Sequence, residues 1–151
     1  MQYEIVNLNE KTVVGYAART SNLAPDMGQV IGGLWQRFYQ PDGYPCIPNK
    51  KNDKALGIYT DYANVEQAEY TVLVACEVQD STGVPETFIV RTIPAGTYAK
   101  FVVKGNMITA VADFWKQLWQ MPLQRSFVCD FEEYQNADLE HAEIHIYIGL
   151  K

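Results

Sequence analysis

The chain has 151 residues, 48% hydrophobic and 20% charged, which is ordinary for one compact soluble domain with a single core. Its net charge of −6 works against a phosphate-contacting surface, and no run approaches the roughly 18 apolar residues that a membrane helix needs. Cys46, Cys76 and Cys129 are odd in number and far apart, with no CxxC pair, which argues against a disulfide framework or zinc knuckle and predicts reduced, mostly buried thiols.

The N-terminal stretch MQYEIVNLNEK lacks the basic segment and apolar core of a signal peptide, so a cytoplasmic protein is expected. Alternating and β-branched runs predict strands at 3–7 and 11–19. Helical spacing begins at 26–39, where Val30, Ile31, Leu34 and Phe38 recur on one face. A loop over 40–54, rich in Pro, Gly and Lys, follows, and its basic run from Asn49 to Lys54 reads as a solvated turn. Strands are predicted at 55–62, 70–78, 86–92 and 96–103. The second helix, 106–120, carries Ile108, Val111, Phe114, Trp115 and Leu118, with Gly105-Asn106 as its N-cap and Pro122 just beyond it. Strands at 126–134 and 142–149 complete the chain.

The order is β-β-α-β-β twice over, which predicts a duplicated unit: one repeat about 1–80, the other about 84–151, within a single 1–151 domain. GLWQRFY at 33–39 lies over DFWKQLW at 113–119 with an offset of 80, setting Trp35 on Trp115 and Tyr39 on Trp119. LGIYTDYAN at 56–64 lies over VCDFEEYQN at 128–136 with an offset of 72, setting Tyr59 on Phe131, Tyr62 on Tyr134 and Asn64 on Asn136. A duplicated unit of this kind implies an α+β fold with pseudo-two-fold symmetry: a curved antiparallel sheet with two helices on one face and a cleft on the axis. The uncovered sheet face is expected to be exposed and able to pair with another copy. Aromatic content of 13%, with ten Tyr, six Phe and three Trp, favours an aromatic-lined pocket. Trp35, Tyr39, Trp115 and Trp119 are placed to line the cleft, although tryptophan at helical spacing is also an ordinary core residue.

IPAGTYAKFVVKG at 93–105, the helix with FWKQLW, and DFEEY at 130–134 resemble the second half of the GyrI-like, or AraC-type, effector-binding domain. EIVNLNEKTVVGYAART at 4–20 and the LWQRF helix resemble the first half, and the latter is most similar to the stand-alone, integron-associated effector-binding proteins. The resemblance implies a binding protein for hydrophobic, cationic small molecules. It also implies that the acid of the F-E-x-Y motif, here Glu132 between Phe131 and Tyr134, sits at the base of the pocket. A helix-turn-helix segment is not found, so direct nucleic-acid contact is not expected.

Period-two alternation puts Glu132 and Tyr134 on one strand face, and Phe131 and Glu133 on the other. The offset of 72 sets Glu133 on the acidic Asp61 and Glu132 on Thr60, which marks Glu133 as a shared solvated acid and Glu132 as specific to one half. The expected site is therefore Glu132 as the charge-selecting group, within an aromatic wall of Trp35, Trp115, Trp119, Tyr59 and Tyr134 that meets a cation by cation–π contact. An exposed edge acid is the plainer reading of Glu132. The resemblance leaves two alternatives: a hydrolase of electrophilic small molecules with Glu132 and Tyr134 or Tyr98 as base and acid, and a protein-binding topoisomerase inhibitor. No metal or other cofactor is expected, since His141 and His145 fall across a loop–strand junction and no nucleophile-elbow, P-loop or HExxH motif occurs.

Overall fold

The computed structural model of the protein describes residues 1–63 and 69–151. Its elements follow the expected order: β1 (Glu4–Leu8), β2 (Lys11–Ser21), α1 (Met27–Phe38), β3 (Lys50–Thr60), β4 (Glu69–Val78), β5 (Ile89–Ile93), β6 (Gly96–Gly105), α2 (Met107–Leu118), β7 (Arg125–Tyr134) and β8 (Ala142–Leu150). The helix starts differ in chemistry. At α2 the Asn106 side chain accepts from the amides of Ile108 and Thr109 at 3.0 and 3.1 Å. Asp26 before α1 makes no such bond.

All eight strands join one antiparallel sheet in the order β1-β6-β8-β7-β3-β4-β2-β5. Exchanging each strand for its counterpart in the other unit gives the same order reversed, so a pseudo-two-fold axis passes between β3 and β7. The first strand of each unit pairs inside the other unit, β1 with β6 and β5 with β2. Neither unit can complete its ladder alone, which makes the two halves one interlocked sheet.

The helices take equivalent places, α1 over β2 and β4 and α2 over β6 and β8. Each buries two residues four apart, Leu34 and Phe38 in α1, Phe114 and Leu118 in α2. These pairs obey the offset of 80 read from the sequence. Because neither helix lies over β3 and β7, the two central strands form the floor of a cleft between the helices.

The opposite sheet face departs from expectation. Instead of an open surface it curls into a half-barrel whose interior packs Leu56, Ile58, Leu73, Tyr98, Phe131 and Tyr147 into a second core. Phe131 and Tyr147 stack there with centroids 4.6 Å apart. Sheet curl brings residues from distant strands together on the concave side, which period-two alternation cannot reveal.

Two further expectations are corrected. The run Asn49 to Lys54 belongs largely to β3: Lys50 Nζ donates to the carbonyls of Tyr44 and Ile47, and Lys51 pairs with Glu77. The offset of 72 also fails for the central strands. Tyr59 pairs with Asp130 and Ile58 with Phe131, so Tyr59 and Phe131 lie on opposite faces. The register irregularities fall between Lys50 and Ala55 in β3 and between Arg125 and Asp130 in β7, which fixes the offset there at 75. Asn64 lies outside the described residues. Of the cysteines, Cys76 and Cys129 are buried, and Cys46 is exposed.

Candidate functional site

An offset of 75 makes Gly57 the counterpart of Glu132, and the same two residues face each other in the β3–β7 ladder. The pseudo-axis therefore passes between them. A Cβ built on Gly57 would lie 2.9 Å from Glu132 Oε1 and 3.5 Å from the Trp35 ring. Only one side chain fits at the axis, so glycine in one half makes room for the acid in the other. Gly57→Ala is expected to cost about 1–3 kcal/mol of stability, read as a lower denaturant midpoint at unchanged slope, because the hydrogen-bonded carboxylate has nowhere to retreat.

Glu132 is 2% exposed. Its carboxylate accepts three hydrogen bonds, from Trp115 Nε1 at 2.8 Å, Tyr134 hydroxyl at 2.8 Å and Tyr59 hydroxyl at 3.1 Å. The two phenols are themselves counterparts under the offset of 75, one from each half, and they hold the two carboxylate oxygens from opposite sides. All three donors are neutral, and among the described residues no lysine, arginine or histidine pairs with Glu132. Burial raises its pKa above the ordinary carboxylate range, opposed by the bonds from Trp115, Tyr134 and Tyr59. Burial and the adjacent Glu132 charge push Tyr59 and Tyr134 well above the ordinary phenol range, so both remain donors at any working pH.

The cleft divides into two lobes that meet at Tyr59 and Ile31. The first, about 500 Å³, is lined by Glu132, Tyr134, Trp35 and Tyr39, with Met107 and Val111 from α2. The second, about 660 Å³, is lined by Trp115 and Trp119, with Met27 from α1 and with Tyr62, Tyr70 and Arg125. By the helix offset of 80 these linings are counterparts, so the pseudo-axis relates the lobes.

Of the residues expected at the site, Trp35, Tyr59 and Tyr134 surround Glu132 in the first lobe. Trp35 meets Tyr134 edge-on at 5.1 Å, and Tyr59 meets Trp115 edge-on at 5.4 Å. Trp115 reaches Glu132 through its indole nitrogen while its ring lines the second lobe. Trp119, 59% exposed, stands in the wall of that second lobe, as Tyr39 does in the first. Glu133 is half-buried and accepts a bond from the Gln135 amide.

The sequence reading passed over a second buried acid. Asp130 is wholly buried and accepts from Arg125 Nη2 at 2.7 Å, the Gly149 amide at 2.8 Å and the Tyr62 hydroxyl. Alternation places it on the same face as Glu132, so two acids two residues apart share one environment but differ in partners. Among the described residues Asp130 has a cation and Glu132 does not. Among the described residues no group of His, Cys, Asp and Glu is arranged to hold a metal ion, and no helix is long and apolar enough to cross a membrane.

Residues 4–150 match the family model described as Cass2, integron-associated effector binding protein. Among solved structures, the integron cassette protein VCH_CASS2 from the mobile metagenome of Vibrio cholerae is 28% identical with a TM-score of 0.76, covering 99% of this chain and 95% of that one. SAV2435, in a structure bound to tetraphenylphosphonium, is 22% identical with a TM-score of 0.80 over 100% and 94% of the two chains. A putative bacterial transcription regulation protein from Staphylococcus aureus MU50 is 20% identical with a TM-score of 0.73 over 99% of each. Among curated proteins none matches significantly.

Proposed function

The chain belongs to the integron-associated effector-binding proteins, and from that premise we propose that residues 1–151 act as one effector-binding domain for hydrophobic, cationic small molecules. The observation that carries this reading is Glu132: a buried carboxylate with three neutral donors, no cation among the described residues, and aromatic faces around it. Such a group is stable as a carboxylate only partly compensated, and a delocalised organic cation supplies the missing charge. Trp35, Tyr59 and Tyr134 form the adjacent wall, where ring faces add about 0.5–2 kcal/mol each through cation–π attraction. Trp115 holds the carboxylate, and Trp119 extends the aromatic wall beyond Tyr59. Ring faces accept many outlines, so the pocket is suited to selecting charge and flatness rather than one shape. Tetraphenylphosphonium, the ligand of the SAV2435 structure, is a cation of this type.

The raised pKa gives this reading a signed pH dependence. The free protein holds a proton on Glu132 to higher pH than an unfolded chain does, so ionisation costs stability. That stability is fully present below the unfolded pKa and is lost as pH rises through the folded one. A bound cation favours the ionised form, so binding releases a proton across that window. The affinity for tetraphenylphosphonium, followed by tryptophan fluorescence, should therefore rise with pH through the Glu132 titration and then level. An affinity that does not change with pH across the titration of Glu132 would remove Glu132 from the site.

A further inference from the structure

The pseudo-axis matches the two lobes in lining position but not in charge. Glu132 and Asp53 line the smaller lobe, with no lysine or arginine among its described lining residues. Lys116 and Arg125 line the larger one, with no aspartate or glutamate among its described residues. Arg125 is paired with the buried Asp130, and Lys116 adds a positive charge that no described lining acid offsets, so the larger lobe has a chemistry of its own.

Three features define that chemistry. Its walls are aromatic, with Tyr62 and Phe127 in edge contact at 5.9 Å and Trp115 and Trp119 in the same lining. The Arg125 guanidinium lies over the Phe127 ring, 4.3 Å from its centre. That guanidinium also has donor capacity in reserve. Nη2 donates to Asp130, but Nε is buried and makes no hydrogen bond. Asp130 takes one bond from the guanidinium, its other two coming from Tyr62 and Gly149.

We propose that the Arg125 lobe is a second binding site of opposite preference, taking an aromatic group that carries an anionic acceptor oxygen, such as a carboxylate or sulfonate. The ring lies among Trp115, Trp119 and Phe127, and the oxygen meets the free edge of the Arg125 guanidinium, with Lys116 adding charge at the mouth. Arginine suits this task better than lysine because its planar fork presents parallel donors to a two-oxygen anion. The site does not depend on Glu132 receiving a cation.

The test is calorimetric titration of the whole chain with naphthalene-2-sulfonate, with the cation 2-naphthylmethylammonium as the contrasting probe. The sulfonate should bind the unmodified protein, and Arg125→Lys, which keeps a charge opposite Asp130 but loses Nε and the fork, should weaken it about fivefold or more. Lys116→Gln and Trp119→Ala, both at exposed positions, should weaken it about twofold to fivefold. Glu132→Gln should lose the cation yet retain the sulfonate, which separates failure of this site from failure of the Glu132 site. Absence of sulfonate binding, or equal affinity in the protein and Arg125→Lys, would overturn the proposal. Loss of the sulfonate in Glu132→Gln would do the same. Should circular dichroism find Arg125→Lys unfolded, unchanged affinity in both Lys116→Gln and Trp119→Ala would overturn it as well.

Discussion

Glu132→Gln is expected to weaken tetraphenylphosphonium binding by about tenfold or more, equivalent to about 1.4 kcal/mol, at a pH where the carboxyl is ionised. Two unit charges about 5 Å apart attract by about 3 kcal/mol at an effective dielectric constant of about 20. Part of that is offset by taking the cation out of water, and the surplus is what the substitution removes. Glutamine keeps the shape, its amide oxygen can still accept from Trp115 and Tyr59, and its NH2 can donate to the Tyr134 hydroxyl oxygen, so the loss reports charge and not collapse of the pocket. Glu133→Gln should leave affinity within about twofold, because Glu133 lies on the opposite face of β7 and is bonded to Gln135. A larger loss at Glu133 than at Glu132 would reverse the assignment of the two acids.

Asp130→Ala is expected to cost about 3–5 kcal/mol of folding stability, the loss for a buried ion pair deprived of one partner. Asp130 is wholly buried, and the Arg125 side chain is 13% exposed, so truncation leaves a charge in the interior along with an unmatched Gly149 amide and Tyr62 hydroxyl. Glu132→Gln in the free protein should cost far less, or add stability above the raised Glu132 pKa, because it removes a buried charge with no opposite partner among the described residues. Urea unfolding of the two variants at pH 7.5 compares them directly. Equal losses would mean that both acids are structural and that Glu132 is not kept uncompensated for a ligand.

The contrast between these acids bears on what the sequence could reveal. Element order and the helix offset of 80 were legible, because each helix has one buried stripe and the duplicated residues keep their 3.6-residue spacing. So were α+β class and pseudo-symmetry, since strand runs and helices repeat in order. The face of Glu132 was legible too, since alternation needs only parity within one strand.

The strand offset was not. LGIYTDYAN and VCDFEEYQN align well as letters at 72, but the irregularities before Ala55 and Asp130 set the strands at 75. A slip by an odd number of residues exchanges the two faces. Glu132 was thus compared with Thr60 when its counterpart is Gly57, and the conclusion that the acid belongs to one half was reached through the wrong residue. The true pairing explains more. Gly57 exists to leave space at the axis, and Tyr59 and Tyr134 become a matched pair around the carboxylate.

Asp130 escaped notice because DFE reads as a motif around its glutamate, and nothing local announces that Arg125, five residues earlier, folds back to it. That pairing depends on the register irregularity between the two residues. The division of Trp35 and Tyr39 from Trp115 and Trp119 into separate lobes was likewise hidden, since it follows from where helix ends sit across the axis and not from their spacing.

The most direct test of the account is the titration of Glu132 itself. Glutamate labelled with ¹³C at the side-chain carboxyl, assigned by comparison with Glu132→Gln, reports its protonation in the free and the tetraphenylphosphonium-loaded protein. The midpoint should lie above the ordinary glutamate range in the free protein and move to lower pH when the cation is bound. An ordinary midpoint in the free protein, or one that does not move on loading, would contradict the account.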